Sequence, residues 1–182
     1  MKKLFIILPI GLILCFMVGC QDKQAMAELE EFRAQAALEE QNKALVARYN
    51  EAWESGNLEA IKEIYSPDFV WHATDGSDLS SEEMIEINRT SIEQHKTAFP
   101  DMTFINEEVI VKGDKVITRY TMRGTHTGDA EGFPATGNKI EIGGIEIIRI
   151  ENGKIAESWE EINLSRFFQQ VGYELKPKEE EK

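Results

Sequence analysis

Apolar and polar residues alternate with two different periodicities along this chain. Between positions 103 and 164 they alternate one by one, which is typical of β-strands with one buried face. Before position 100 the apolar residues recur every three or four positions, which predicts amphipathic helices. The pattern predicts helices over 22–55, 57–65, 80–99 and 166–171, a short strand at 69–72, and four longer strands over 103–111, 115–126, 139–150 and 154–164.

The order of these elements predicts the fold class. Ser80 and Glu83 form a capping box that opens the third helix. Three helices followed by an antiparallel sheet predict one α+β domain over residues 42–175. Residues 20–41, which are rich in Ala, Glu and Gln, predict a helical stalk, and the Lys/Glu-rich residues 176–182 predict a disordered tail.

The segment 139–164 places two carboxylates among isoleucines. Whether Glu146 and Glu160 share one face depends on the turn between the strands. A two-residue Asn152-Gly153 loop would put them on opposite faces. A three-residue loop that also includes Glu151 would put them on the same face, diagonally about 7–8 Å apart. We favour the three-residue loop, because the other register sets polar side chains against the isoleucines.

Two nearby carboxylates in a dry pocket predict acid/base chemistry. One member of such a pair keeps its proton while the other ionises, and the two titrate as a unit. The ionised carboxylate could take a proton from a carbon activated by carbonyl groups, and the protonated one could give a proton to the alkoxide that forms. In a structural alternative Glu146 pairs with Arg119 or Arg123, and in another Glu160 is an exposed residue of the sheet.

The first twenty residues have the composition of an export signal. Lys2-Lys3 precedes the apolar run Leu4–Val18, which is too short for a spanning helix. The run leads into Gly19 and Cys20, which resemble the lipobox of bacterial lipoproteins. This resemblance implies removal of residues 1–19 and a lipid on Cys20, so that the protein is exported and anchored to a membrane of the bacterial cell envelope, the outer membrane in a Gram-negative cell. An uncleaved signal anchor is the alternative.

Charge and cysteine content exclude several classes of function. The formal net charge of −13 argues against nucleic-acid binding and against electrostatic attraction to anionic lipid. Cys15 and Cys20 both precede the domain, which therefore has no thiol for a disulfide, a nucleophile or a metal site. The three histidines have no close ligand spacing, and we expect no metal.

Six sequence blocks resemble one known family. They are AFPDM (98–102), Gly113-Asp114, RYTMRGTHTG (119–128), GFPATG (132–137), IIRIENGKIAESW (147–159) and QQVG (169–172). In order and spacing they are similar to the SnoaL-like polyketide cyclases, of the NTF2-like superfamily, over residues 43–173. The resemblance implies an α+β cone in which a curved antiparallel sheet and about three helices enclose a pocket. It also implies cofactor-free aldol ring closure of a polyketide ester, and a homodimer formed through the sheet.

The resemblance also implies roles for individual residues. The general acid/base Asp of the family corresponds to Glu160 and its supporting His to Glu146, so both positions depart from the family pattern. His72 and His126 have structural alternatives, as a hydrogen-bonded strand residue and as the cap of a loop, and His95 is expected at the surface or the edge of the core. We predict ligand contacts from five side chains: Trp71, His72, Tyr120, His126 and Trp159.

Two functions of different classes follow from these features. The first is a lipid-anchored, cofactor-independent cyclase or isomerase-like catalyst that acts on a small hydrophobic carbonyl compound. The second is a non-catalytic module that binds a small hydrophobic ligand or docks a partner in the cell envelope. A carboxylate with a raised pKa favours the enzyme, whereas a salt-bridged Glu146 favours the binding module.

Overall fold

The computed structural model describes residues 7–129 and 134–173, with side chains from Lys23 onward. The predicted signal-peptide cleavage, the lipidation of Cys20 and the predicted C-terminal tail concern residues or side chains outside this description. Within the described part of the chain, no helix is both long and apolar enough to cross a membrane.

The chain divides into two units, Met1–Glu40 and Gln41–Lys182. The described part of the first unit is helical, since the backbone forms one helix from Ile7 to Ser55 without a break. The second unit holds the end of this helix and every other helix and strand described below. All residues of the candidate site belong to the second unit.

Local signals in the sequence set the ends of the helices, which are α1 (Ile7–Ser55), α2 (Leu58–Ile64), α3 (Ser81–Ala98) and α4 (Leu164–Gln170). Gly56 ends α1 with a left-handed φ of 75°. The Asn57 side chain caps α2 by accepting a hydrogen bond of 3.1 Å from the Ala60 amide. The capping box predicted for Ser80 and Glu83 is present at the start of α3 and is confirmed.

Six strands form one sheet in the order β2-β1-β6-β5-β4-β3. They are β1 (Tyr65–His72), β2 (Asp78–Ser80), β3 (Thr103–Lys112), β4 (Lys115–Thr125), β5 (Lys139–Glu151) and β6 (Lys154–Ile162). The α+β class and the four long strands are confirmed. The sheet is antiparallel, as predicted, except in one place, where β1 pairs with β6 in parallel. The helix α3 and the antiparallel strands between them make this possible, since a parallel pair needs a long crossover.

The turn between β5 and β6 differs from the one predicted. Asn152 and Gly153 form a two-residue loop with φ angles of 51° and 72°, and Ile150 pairs with Ile155. A β-bulge at Ala156 then shifts the register by one residue, so that Glu146 pairs directly with Glu160. The prediction of a three-residue loop is therefore wrong. The two carboxylates still share the inner face, because the extra residue of the bulge turns the side chains that follow it in β6 to the opposite face.

The inner face of the sheet carries two apolar clusters with polar residues between them. One cluster, with Val116 and Ile148, packs against α1, α2 and α3. The other, with Met122 and Ile142, lies further along the same strands. Between them a row of facing residues crosses three strands, in which Thr118 pairs with Glu146 and Glu146 with Glu160. This polar row lies at the floor of the candidate site.

Candidate active site

A cavity of about 370 Å³ lies between the inner face of the sheet and two helices. The sheet contributes the polar row with Glu146 and Glu160, together with apolar side chains from β3, β4 and β6. The opposite wall comes from α1 and α3, which bring Trp53 and His95 to the cavity. The space is of the size of typical small-molecule pockets, which are largely apolar with a few placed polar groups.

The two carboxylates stand directly opposite each other on neighbouring strands. Direct antiparallel partners have Cβ atoms about 4.5–5.5 Å apart, closer than the diagonal spacing predicted for Glu146 and Glu160. The alternative in which Glu146 pairs with an arginine is wrong. Arg119 forms an ion pair with Glu108 at 3.6 Å and Arg123 forms one with Glu141 at 2.9 Å, because both arginines point to the outer face.

The environment of the pair favours one shared proton. Burial, and then the negative charge of Glu160, raise the pKa of Glu146 well above its ordinary value of 4.5. Burial also raises the pKa of Glu160, but a hydrogen bond from Tyr120 acts in the opposite direction. Because two adjacent carboxylates in a dry site do not both ionise readily, Glu160 is the member that ionises first and Glu146 the member that keeps the proton.

Tyr120 orients the ionised carboxylate. Its hydroxyl donates a hydrogen bond to Oε1 of Glu160, while burial and the charge of that carboxylate raise the pKa of Tyr120. The facing position on β5 is Gly144, where any side chain would collide with the ring and hydroxyl of Tyr120. A glycine at this position therefore lets the phenol reach across the strand to its acceptor.

Removing the Tyr120 hydroxyl should raise the pKa of Glu160. In Tyr120→Phe the carboxylate loses the donor that favours its charged form, while its burial remains. The measurement is an NMR pH titration of the side-chain carboxyls, with Glu160→Gln for assignment. Tyr65→Phe is the control, because that hydroxyl bonds Tyr49 and Asn88 rather than a carboxylate. A Glu160 midpoint that stays the same in Tyr120→Phe would contradict this role.

A chain of hydrogen bonds runs along the helical wall. The indole Nε1 of Trp53 donates to Oδ1 of Asn88 at 3.3 Å. The Asn88 amide donates to the hydroxyl of Tyr65 at 3.2 Å. The hydroxyl of Tyr65 is in turn 3.2 Å from that of Tyr49. Trp53, Asn88 and Tyr49 line the cavity, so this wall presents polar groups toward the carboxylates.

His95 lies in the cavity wall rather than at the surface or core edge. Its Nδ1 donates to the Ser91 carbonyl at 2.6 Å, and its ring packs edge-on against Trp53 with centroids 5.1 Å apart. Burial lowers the pKa of His95, although the bond to Ser91 opposes this. The imidazole is therefore neutral at pH 7, with Nε2 as its remaining acceptor.

Two predicted ligand contacts lie on the wrong side of the sheet. Trp71 lines the cavity, as predicted, but its neighbour His72 points to the outer face because side chains alternate along a strand. Trp159, the neighbour of Glu160, points outward for the same reason. His72 stacks on Trp159 with centroids 4.5 Å apart, and its imidazole bonds a carboxylate on each side, Asp78 at 2.8 Å and Glu157 at 3.1 Å.

His126 also lies away from the cavity. It is 1% exposed and stacks on Phe99 with centroids 4.9 Å apart. Its Nδ1 is 3.1 Å from the Thr136 hydroxyl, and within the described residues its Nε2 has no hydrogen-bond partner. The predicted ligand contact is therefore wrong, whereas the structural alternative agrees with its position at the base of a loop.

Sequence reasoning missed most of the helical wall. Tyr49 and Trp53 fall at helical spacing in the sequence, where tyrosine and tryptophan count as apolar and indicate core packing rather than a site. Asn88 was the available signal, since a polar residue inside the buried stripe of α3 needs partners. Among the side chains that the structure describes, no three potential metal ligands lie close together, and the expectation that no metal binds stays a prediction.

The fold and the site together define the class of this protein. A curved six-stranded sheet with helices across its inner face, enclosing a cavity, is the NTF2-like α+β fold. A sequence model of the SnoaL-like polyketide cyclases matches residues 43–171, which is more than half of the chain. The protein belongs to the SnoaL-like polyketide cyclase family.

Solved structures agree with this assignment. AclR of Streptomyces galilaeus, a proposed hydroxylase, is 28% identical with a TM-score of 0.63 over 74% of this chain and 97% of AclR. IdmH of Streptomyces antibioticus, a proposed polyketide cyclase, is 28% identical with a TM-score of 0.63 over 72% of this chain and 98% of IdmH. TsrD of Streptomyces laurentii is 25% identical with a TM-score of 0.60 over 72% of this chain and 95% of TsrD. A comparison with curated proteins gave no match.

Proposed function

We propose that the protein is a cofactor-independent acid/base catalyst that closes a ring by an aldol-type reaction in a small hydrophobic carbonyl compound. The observation that carries this proposal is the pair of Glu146 and Glu160, directly opposed in an apolar cavity, with Tyr120 bonded to only one of them. Membership of the cyclase family supports the same chemistry. IdmH, a structural neighbour, is described as a proposed polyketide cyclase.

The reaction needs two proton transfers, and the pair supplies both. Glu160 takes a proton from the carbon next to a carbonyl, and the electrons of the broken C–H bond form an enolate. The enolate carbon attacks a second carbonyl of the same molecule and a C–C bond forms. The second carbonyl oxygen becomes an alkoxide and takes the proton of Glu146. The proton gained by Glu160 then returns to Glu146, so the substrate is isomerised and the pair is restored.

The cavity limits the substrate class. It holds about 370 Å³ and has two carboxyl groups at its floor, so a compound with an anionic group beside Glu160 would be repelled. Neutral, mainly apolar compounds with two carbonyls are favoured. Glutamate in place of the family's aspartate moves the proton acceptor outward by one methylene, which shifts the reacting carbon toward the helical wall.

The test is deuterium exchange at the acidic carbon of an aromatic β-keto ester, such as methyl 2-naphthoylacetate, followed by proton NMR. We expect the wild-type protein to accelerate exchange above the buffer rate, since enolate formation is the first step of the proposed reaction. If it binds the ester but leaves exchange at the buffer rate, the acid/base proposal fails and the non-catalytic binding module is the better description.

We also propose that the catalyst is a lipoprotein anchored to the cell envelope through Cys20. The support is the sequence alone, with its basic start, short apolar run and Gly19-Cys20 junction. Cys20→Ser should abolish labelling of the protein by a clickable fatty acid in a bacterial host and release it from the membrane fraction. Cys15→Ser is the matched control and should retain the label. Equal labelling of wild type and Cys20→Ser would contradict the anchor.

A further inference from the structure

We propose that Tyr49 forms a carbonyl-binding site on the helical wall, in which its hydroxyl donates a hydrogen bond to the substrate oxygen while Glu160 faces the carbon beside it. This inference deepens the proposed function, and its chemical setting rests on that proposal. It assigns the oxygen of the substrate to one wall of the cavity and the acidic carbon to the other. The ligand class is an aromatic or alicyclic ketone or ester with a proton next to its carbonyl.

The direction of the hydrogen-bond chain can be read from its first member. The Trp53 indole nitrogen is a donor only, so the atom 3.3 Å away must be the amide oxygen of Asn88. The Asn88 nitrogen then faces the Tyr65 hydroxyl at 3.2 Å and donates to it. Trp53 therefore donates to Asn88, and Asn88 donates to Tyr65.

The last two hydroxyls of the chain share one hydrogen bond. The Tyr65 oxygen accepts from Asn88, and it lies 3.2 Å from the Tyr49 hydroxyl, where either oxygen can be the donor. In the arrangement that gives each of these protons an acceptor, Tyr65 donates to Tyr49, and the proton of Tyr49 is then available to an acceptor in the cavity. Hydrogen bonds in such a chain polarise one another, so the last hydroxyl becomes a stronger donor than an isolated phenol.

Tyr49 lies where this proton can meet a ligand. Its side chain lines the cavity from α1, while the carboxylates line it from β5 and β6. Burial is the largest cause that raises the pKa of Tyr49 well above its usual range, and the negative charge of the carboxylate pair adds to it. The hydroxyl consequently stays protonated and remains a donor throughout the neutral range.

The two walls select for a hydrogen-bond acceptor. Tyr49 on the helices and the protonated Glu146 on the sheet are both donors, and Glu160 already accepts from Tyr120. A ketone oxygen can accept from these donors, whereas an alkane offers them no acceptor. When Glu160 removes the neighbouring proton, the C–H electrons form the new C=C bond and the carbonyl electrons move to the oxygen. The negative charge then develops on the substrate oxygen, which lies beside the Tyr49 hydroxyl, and a fixed hydrogen-bond donor stabilises it there.

The experiment compares two ligands of nearly equal shape, α-tetralone and tetralin, which differ by the carbonyl oxygen. In Tyr49→Phe the full-length protein should bind α-tetralone about three- to tenfold more weakly than wild type, the range for one neutral hydrogen bond. Binding of tetralin should change by less than about twofold, since phenylalanine keeps the ring in place. Tyr173→Phe is the matched control and should leave both affinities unchanged, because that tyrosine lies outside the cavity lining.

Infrared spectra of α-tetralone labelled with ¹³C at the carbonyl give a readout that a loss of packing would not mimic. The C=O band should shift to lower frequency in the wild-type protein relative to hexane, because a hydrogen bond weakens the bond. The shift should be lost in Tyr49→Phe and kept in Glu146→Leu, which removes the other donor. An unshifted band in the wild-type protein overturns the site without any variant, and a shift that is kept in Glu146→Leu supports Tyr49 even if Tyr49→Phe fails to fold.

Several outcomes would overturn the inference. They are an unshifted band in the wild-type protein, a shift that survives Tyr49→Phe, a shift lost in Glu146→Leu alone, or no binding of α-tetralone. None of them depends on catalysis. If ketone binding requires Tyr49 but the β-keto ester shows no enhanced exchange, the carbonyl site stands and the proposed reaction fails. If exchange is enhanced but Tyr49→Phe changes neither affinity nor band, the reaction stands and this site fails.

Discussion

Replacing Glu160 with glutamine should slow deuterium exchange of the β-keto ester by about 10²- to 10⁴-fold, the usual contribution of a general base. Glutamine preserves the length and nearly the volume of the side chain, but it cannot take the proton. It also keeps an oxygen that can accept the hydrogen bond of Tyr120. The loss should therefore appear in the exchange rate at saturating ester and much less in the affinity for the ester.

Two further variants sharpen this experiment. Glu160→Asp keeps a carboxylate but withdraws it by one methylene, so its exchange rate should lie between those of wild type and Glu160→Gln. Glu161→Gln is the matched control, since this neighbour points to the outer face and should leave the rate unchanged. If Glu160→Gln exchanges the ester proton at the wild-type rate, Glu160 is not the general base of the reaction.

The protein should be more stable at pH 5 than at pH 8. In the unfolded chain Glu146 ionises near its ordinary value of 4.5, but in the folded protein its pKa is raised well above that value. Between these two values the folded state holds a proton that the unfolded state has lost, so the free energy of unfolding falls as the pH rises. The fall is at most about 1.4 kcal/mol per pH unit for each fully shifted group. It begins near pH 4.5, the ordinary glutamate value.

Two histidines also titrate in this range and must be separated from the carboxylates. Burial lowers the pKa of His72, but its bonds to Glu157 and Asp78 raise it by more, so its contribution also declines as the pH rises past its folded value. Burial lowers the pKa of His95, so its contribution runs the other way, and stability increases as the pH rises toward 6.5. The variant His72→Gln isolates the first of these effects.

Urea unfolding at pH 5, 6, 7 and 8 measures the prediction. Glu146→Gln should flatten the pH dependence and should be more stable than wild type at pH 8, since the amide needs no proton to be buried. Glu161→Gln, an exposed neighbour of the pair, should keep the wild-type slope. Parallel pH profiles for wild type and Glu146→Gln would show that the buried pair carries no raised pKa.

The parts of the fold that depend on residues close in sequence could be predicted. One of these predictions, the shared face of the two carboxylates, is correct although the loop on which it was based is not. Alternation along the strands and the capping box of α3 act within a few residues, and both are confirmed. The shared face of Glu146 and Glu160 was inferred from a loop that does not form. The structure reaches the same face through the bulge at Ala156, for which the local sequence carries no clear signal.

The parts that depend on distant residues were not predictable. The parallel pairing of β1 with β6 joins segments separated by α3 and four strands, and no local pattern specifies it. The same holds for Tyr49, which meets the cavity only because α1 packs across the sheet. The assignments of His72 and Trp159 are a different kind of error. Strand alternation already placed Trp159 opposite to Glu160, and it allowed only one of the neighbours Trp71 and His72 to face the cavity.

The bulged hairpin has a consequence for the order of folding. It brings Glu146 and Glu160 together through contacts that are close in sequence, while the wall that covers them comes from α1 and α3, far earlier in the chain. Contacts between distant segments close later, since they cost more chain entropy. The carboxylates therefore remain in water until the helices dock. The free-energy cost of removing the carboxylates from water therefore arises in the last stage of folding. Alkaline conditions should increase the unfolding rate and leave the rate at which the sheet forms nearly unchanged.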